Sequence, residues 1–332
     1  MEPALFPVQS LTLTLPFSKQ PPVMPTAAVA TIIPVFNRPR AVVEALDSVL
    51  AQTLLPAKLI VVDDGSTDDT AGRIEEWMAN KRPPFETRLI RQANQGAAAA
   101  RNCGAAESPD CDLLAFLDSD DLWPADYLRR MVDALQKRTE AVAASCDRTN
   151  IDYATQAVHP HQYVNYECGP RNVTAIIFED GPPGTPNTVI RASAFFQLSG
   201  FDRQWPTGQD YDLMLRLSLL GPWLYVAGEP VTTRNHLEIL YGGGEPPLSL
   251  KYADRAFRRV QMLDQFIHKS GGMAVVPDSI WRPRLVEFWY RAGRKLLALK
   301  RPEDAAKCFR RTLDFCPRHL RARVRLLCCG AK

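Results

Sequence analysis

Three short apolar runs stand out in the first part of the chain, at 29–35, 59–62 and 113–117, each ending in polar or turn-forming residues. A run that is apolar on both faces predicts a strand covered on both sides, as in a parallel sheet flanked by helices. Between the first two runs, Val42, Val43, Leu46, Val49 and Leu50 fall on one face of a helix predicted over 41–52. A second helix is predicted after Asp64-Gly65-Ser66-Thr67-Asp68, whose hydroxyls and carboxylates suit a helix cap and first turn. Strand, helix, strand, helix is the pattern of an α/β fold. Ligands of such sheets bind beyond the carboxyl ends of the strands, where the polar clusters at 34–37, 63–68 and 118–121 all fall.

The middle of the chain, 150–245, alternates turn-rich stretches such as Gly181-Pro182-Pro183-Gly184 with a short strand, Thr188–Arg191, and a helix that starts near Asp210. Gly242-Gly243-Gly244-Glu245-Pro246-Pro247 cannot continue regular structure and reads as a linker. Beyond it the chain is helical, and Trp289, Gly293, Leu296, Ala305, Phe309 and Pro317 resemble one tetratricopeptide-type helix pair at about 286–319. A single such pair cannot cover its own apolar face, so it must dock on the catalytic unit or on a partner. The expected organisation is an irregular extension over 1–28, an α/β unit over 29–245 with halves at 29–125 and 126–245, and a helical region over 246–332.

A composition of 46% hydrophobic and 23% charged residues excludes a disordered or collagen-like chain. The eight cysteines form no CxxC pair and no regular spacing, which excludes a zinc ribbon or disulfide framework and fits reduced thiols in the cytoplasm. No apolar run approaches the roughly 20 residues of a membrane-spanning helix. Residues 1–27 lack the basic start and apolar core of a signal peptide, so the Asn172-Val173-Thr174 sequon is expected to be accidental. The net charge of +3 is too small to indicate nucleic acid, and the basic tail over 281–325 lacks aromatic interleaving or a nucleic-acid motif. That tail is either a solvated face or a peripheral attachment to an anionic inner membrane face, where a lipid-linked acceptor would be found.

The chemistry concentrates at Phe116-Leu117-Asp118-Ser119-Asp120-Asp121. Carboxylates at the exit of a buried strand are costly unless a cation or hydrogen bonds compensate them. Mg²⁺ or Mn²⁺ suits such oxygen ligands, whereas the plainer alternative is a solvated acidic turn before a helix.

Company sharpens this. Ile32-Ile33-Pro34-Val35-Phe36-Asn37, Val61-Val62-Asp63-Asp64-Gly65-Ser66-Thr67-Asp68, Asn94-Gln95-Gly96 with Ala100-Arg101-Asn102, and the acidic segment follow in one order that closely resembles the family 2 glycosyltransferases. The resemblance covers roughly 29–240 and implies a GT-A fold: a Rossmann-like mixed sheet flanked by helices, here with a C-terminal α-helical extension. It implies transfer of a sugar, with inversion, from a nucleotide-diphospho-sugar, a UDP-sugar above all, to a glycan or lipid-linked acceptor in cell-surface polysaccharide assembly.

Residue by residue, the resemblance places Asp64 on the base, with Pro34, Phe36 and Asn37 beside it, and Gly96, Arg101 and Asp118 along the nucleotide. The metal would be held by Asp118, Asp120 and His236, the last from Arg234-Asn235-His236. Gly200-Phe201-Asp202 and Gly208-Gln209-Asp210-Tyr211-Asp212 resemble the acceptor segment, with Gln209 where the family carries glutamate. Asp210 is assigned as the general base, with Asp212 its rival. Trp123, Asp202 and Gln209 would contact the acceptor, although a tryptophan is as often simply buried. Two other readings stand beside this one: a sugar nucleotidyltransferase, whose glycine-rich loop is missing, and an inactive scaffold that acts through its helices.

Overall fold

The computed structural model describes residues 27–162, 172–241 and 253–330. The linker expected at 242–247, residues 1–26 of the expected extension and Cys168 lie outside them. In chain order the elements are β1 (Val29–Val35), α1 (Ala41–Leu50), β2 (Lys58–Asp63), α2 (Thr70–Lys81), β3 (Glu86–Arg91), α3 (Ala97–Ala106), β4 (Leu113–Phe116) and α4 (Tyr127–Lys137). Then come β5 (Ala143–Ser145), β6 (Arg148–Asp152), β7 (Ala157–His161), α5 (Val173–Asp180), β8 (Thr188–Arg191), α6 (Ala192–Gln197), α7 (Gln209–Leu217), β9 (Trp223–Tyr225), β10 (Val231–Asn235) and α8 (Leu237–Tyr241). The tail contributes α9 (Arg255–Lys269), α10 (Asp278–Ala298), α11 (Pro302–Phe315) and α12 (Leu320–Cys329).

Seven strands form one mixed sheet in the order β3-β2-β1-β4-β8-β5-β9. β1 pairs parallel with β2 and β4, and β8 runs antiparallel between β4 and β5. A second sheet, β10-β6-β7, lies beside it. β1 is buried along its whole length, as its unbroken apolar run requires. Its register sets Val35 opposite Asp63 and Ile32 opposite Phe116, so the chain leaves β1, β2 and β4 side by side at one edge.

The helix boundaries have local causes. α1 stops at Leu50 because the Gln52 side chain ties the following turn to the β4–α4 loop: its Nε2 donates to the carbonyls of Ser48 (3.0 Å) and Pro124 (2.8 Å), and its Oε1 accepts from the Leu128 N–H (2.9 Å). α2 starts where Asp68 Oδ1 accepts from the Thr70 N–H at 3.0 Å and from its hydroxyl at 2.5 Å.

Two apolar cores cover the two faces of the sheet. One holds α1, α2 and α4 against it through residues such as Leu46, Trp77 and Met131. The other runs without a break from Phe116 of β4 through Phe178 of α5 and Met214 of α7 to Leu263, Phe266, Leu285 and Phe309 of the tail. The tail therefore docks on the α/β unit, with Phe178 and Phe266 stacked at 6.4 Å. Asp264 of α9 knits it internally, accepting from Arg311 Nε (2.7 Å) and Nη2 (2.8 Å) and from the Trp289 indole (2.8 Å). A buried carboxylate with this many donors is compensated. Among the described residues no helix is long and apolar enough to cross a membrane.

Candidate active site

The three strand exits are laced together. Asn37 takes a left-handed φ of 49°, its N–H donates to Ser66 Oγ (2.9 Å) and its Oδ1 accepts from the Thr67 N–H (2.9 Å). Asp64 accepts from the N–H groups of Gln95 (2.9 Å) and Gly96 (2.8 Å) and from the Gln92 amide (2.7 Å). Gly65 turns the chain at φ 81°, where a Cβ would lie 2.8 Å from the Asn94 backbone nitrogen, so only glycine fits.

Beyond β4 the acidic segment meets three guanidinium groups. Arg101 Nη2 lies 2.5 Å from Asp118 Oδ1, and Arg38 Nη2 lies 3.4 Å from Asp120 Oδ2. Arg234 donates its backbone N–H to Asp121 Oδ1 (2.9 Å) and its Nε to the Asp120 carbonyl (2.5 Å), and its Nη1 pairs with the Glu44 carboxylate. Burial holds the Asp120 carboxyl above its ordinary range, Arg38 pulls it back and Asp118 pushes it up again. Asp121 stands well above that range, through burial first and then the charges of Asp120 and Asp118. Asp120 and Asp121 thus remain short of positive charge despite the arginines. A hard divalent cation would meet that deficit, and Asp118 and Asp120, whose side chains keep 31% and 25% exposure, offer oxygens of the right kind.

A cavity of about 670 Å³ opens over these residues, lined among others by Pro34, Phe36, Asp64, Gly96, Arg101, Asp118, Asp120, Gln209 and Asp210. It adjoins a larger one, about 1030 Å³, that reaches the tail. Arg101, Asp118, Gln209 and Asp210 line both, so they stand at the passage between them. Asp210 sits in the first turn of α7, after Gly208 at φ 80°, and its Oδ1 accepts from the Tyr211 N–H at 2.8 Å. Asp212 is buried, pushed up by that burial, and bound to Arg216 Nη2 at 2.6 Å.

Four expected site residues do not line either cavity. Asn37 is used in the tie between the first two strand exits. Trp123 is 4% exposed, stacked on Tyr127 at 4.6 Å, with its indole N–H donated to the Pro186 carbonyl at 2.6 Å. Its large apolar surface follows the core, and its one polar atom is satisfied there. Asp202 closes its own turn by accepting from the Gln204 N–H at 2.9 Å. His236, at φ 59°, turns its Nδ1 to Asp152 Oδ1 at 3.1 Å, and no three His, Cys, Asp or Glu side chains among the described residues are grouped to hold a metal. In Arg234-Asn235-His236 the arginine, not the histidine, reaches the acidic segment. Arg38 and Glu44 were not predicted; charged residues on a loop and a helix face carry no signal that distinguishes them from solvated ones.

This architecture, a mixed sheet with its acidic segment at the carboxyl edge and helices on both faces, is the GT-A fold. Residues 30–195, half the chain, match the profile of glycosyl transferase family 2, and the chain belongs to that family. An uncharacterized glycosyltransferase of Haemophilus influenzae is 28% identical over 210 residues, which is 60% of this chain and 66% of that protein. The chain spans between 26% and 66% of the length of this and two other curated relatives. Among solved structures, Staphylococcus aureus TarS 1-349 in complex with UDP-GlcNAc superposes with a TM-score of 0.65 at 15% identity, covering 91% of this chain and 89% of that one. The mannosyltransferase PcManGT from Pyrobaculum calidifontis, in complex with GDP-Man and Mn²⁺, gives 0.55 at 20% identity, covering 95% and 83%.

Proposed function

We propose that the chain is an inverting, metal-assisted glycosyltransferase that uses a nucleotide-diphospho-sugar. The observation that carries this is the shared position of Asp118 and Asp210 at the passage between the two cavities. The nucleotide then occupies the smaller cavity, with Phe36 offering a ring face to the base and Gly96 permitting close approach. Asp118 and Asp120 would hold Mg²⁺ or Mn²⁺, which when bound neutralises the departing diphosphate; the Mn²⁺ complex of PcManGT supports this choice. The UDP-sugar of the TarS complex likewise supports a nucleotide-sugar donor.

The acceptor hydroxyl approaches from the larger cavity. Its oxygen attacks the anomeric carbon on the face opposite the diphosphate, the new C–O bond forms as the bond to the phosphate oxygen breaks, and Asp210 takes the hydroxyl proton. Carboxylates are weak bases toward alcohols, so the proton moves late and positioning matters more than basicity. The Tyr211 N–H and the first turn of α7 supply that positioning.

The experiment is a screen of nucleotide sugars for binding and slow hydrolysis with Mg²⁺, Mn²⁺ or chelator, using the full chain and its Asp120→Asn and Asp210→Asn forms. Metal-dependent binding to one donor, weakened by Asp120→Asn, is expected. Failure to bind any donor with metal present defeats the proposal.

A further inference from the structure

The basic residues of the tail are not spread evenly over its surface. On α10, Trp281, Leu285, Trp289, Ala292, Gly293 and Leu296 face the core. Phe288, Arg291, Arg294, Lys295 and Ala298, which recur along one face of the helix, line the larger cavity instead. Arg255 and Arg259, one turn apart on α9, and Arg148 of β6 line it as well. The carboxylates on the same wall are Asp118, Asp180 and Asp210, and Asp118 is already paired with Arg101. Arg291 pairs with Glu287 at 3.1 Å, but both side chains are at least half exposed, so water screens that pair. The cavity beside Asp210 is therefore strongly cationic.

Part of this wall is also ordered by ring contacts. The Arg259 guanidinium lies 5.0 Å over the ring of Tyr211, the residue after Asp210, and 5.5 Å from the ring of Phe288. A guanidinium that lies over two aromatic rings and bonds the Tyr211 side chain is oriented by them, and its remaining N–H groups can meet an oxyanion. A merely solvated basic face would have no reason to converge on a concave wall or to set one of its members over two rings. Nor does this wall lie within the family-matched segment, because α9 and α10 follow residue 195.

We propose that the acceptor is an anionic glycan, whose phosphate or carboxylate groups rest on the α9–α10 wall while its hydroxyl meets Asp210. The inference rests on the transferase function proposed above and adds the acceptor's chemical class. Arg255, Arg259, Arg294 and Lys295 would select charge, and the concave shape would select a chain over a free ion.

The test is binding of labelled oligogalacturonate, an oligo(glycerol phosphate) and a neutral maltooligosaccharide of matched length to the full chain, at an ionic strength of about 0.15 M, where screening acts over about 8 Å. The two anionic probes distinguish carboxylate from phosphate. At least one should bind about tenfold or more tighter than the neutral probe, and the double substitution Arg294→Ala, Lys295→Ala should remove about that factor. Both residues are exposed, so the fold is retained. Arg321→Ala with Arg325→Ala, on α12 and away from the cavity, should leave binding unchanged. Equal binding of the neutral probe, or equal losses in the two double variants, overturns the inference. Nucleotide-sugar binding by the unmodified chain is read separately: its absence defeats the transferase function, whereas donor binding without anion preference defeats this inference alone.

Discussion

Asn102 and the backbone of Phe201 hold each other at both ends: Asn102 Nδ2 donates to the Phe201 carbonyl at 2.8 Å, and its Oδ1 accepts from the Phe201 N–H at 2.9 Å. One side chain thus joins α3, which begins beside Asp64, to the segment that leads into α7 and Asp210. Phe201 itself is buried, edge-on to Phe116 at 5.2 Å, and lies under the Arg101 guanidinium at 5.4 Å. Asn102 is therefore the strap between the nucleotide and acceptor sides. Removing it leaves a buried N–H and carbonyl without their partner, at a cost of about 1–3 kcal/mol for each group. Asn102→Ala should lower the urea unfolding midpoint accordingly, and Asn102→Asp, which keeps only the acceptor, should fall between. An unchanged midpoint in Asn102→Ala shows that the strap does not hold the halves together.

Asp210 and Asp212 are separated by their surroundings. Asp212 faces Arg216, which also donates to the carbonyls of Leu198 (3.1 Å) and Gly200 (2.9 Å), so it supports the loop before α7. Asp210 has no such assembly and lines both cavities. Asp212→Asn should therefore lower thermal stability. Asp210→Asn should leave stability intact and reduce kcat by about two to four orders of magnitude, the usual contribution of a general base. The opposite split, with Asp212→Asn stable and inactive, makes Asp212 the base.

Much of this was legible in the sequence where the signal was physical and local. The apolar runs at 29–35 and 113–117 gave β1 and β4 to within one residue, and Thr188–Arg191 is β8 as predicted. β3 carries no such signal, because Glu-Thr-Arg-Leu-Ile-Arg is an edge strand with charges at 86, 88 and 91, which protect the edge but resemble a loop. β5 and β9 have three residues each, too few for any periodicity, and β6 and β7 are largely polar. Of the site, the carboxylates were visible because they sit at strand exits. Their arginine partners were not: Arg38 is near in space to Asp120 only because β1 and β4 pair in register. The basic tail was noticed as a charge run, but which face it presents depends on the docking of α10.

That docking depends on a close helix contact. A Cβ at Gly293 of α10 would lie 2.7 Å from Phe309 Cε1 and 2.9 Å from its Cζ, and Phe309 is fully buried. Gly293→Ala should cost about 1–3 kcal/mol through overpacking, more than the gain from improved helix propensity. Pairing it with Phe309→Leu should recover part of the loss, because the shorter side chain makes room. A stabilised single variant shows that α10 and α11 can separate freely, and α10 would then not be held firmly in the α9–α10 wall. Thermal unfolding of the two variants decides between these.

The last prediction concerns alkaline pH. Burial raises the Cys146 and Cys308 thiols from 9.0 to about 12. Burial, together with bonds to carboxylates, raises the Tyr225 and Tyr241 hydroxyls from 10.0 to about 12. Each of these groups binds its proton more tightly in the folded chain than in the unfolded one, so in this range the unfolded chain holds fewer protons and stability falls with rising pH. The contribution is complete below about pH 9, where all four are protonated in both states, and is lost as the pH climbs toward about 12. Urea midpoints should therefore be flat from neutrality to about pH 9 and then decline. In the same window, native-state alkylation should modify exposed Cys328 readily and spare Cys146 and Cys308, since the thiolate is the reactive form. Rapid labelling of Cys146 at pH 8 to 9 in the folded protein shows that its thiol is not held up by burial, and the alkaline decline then needs another source.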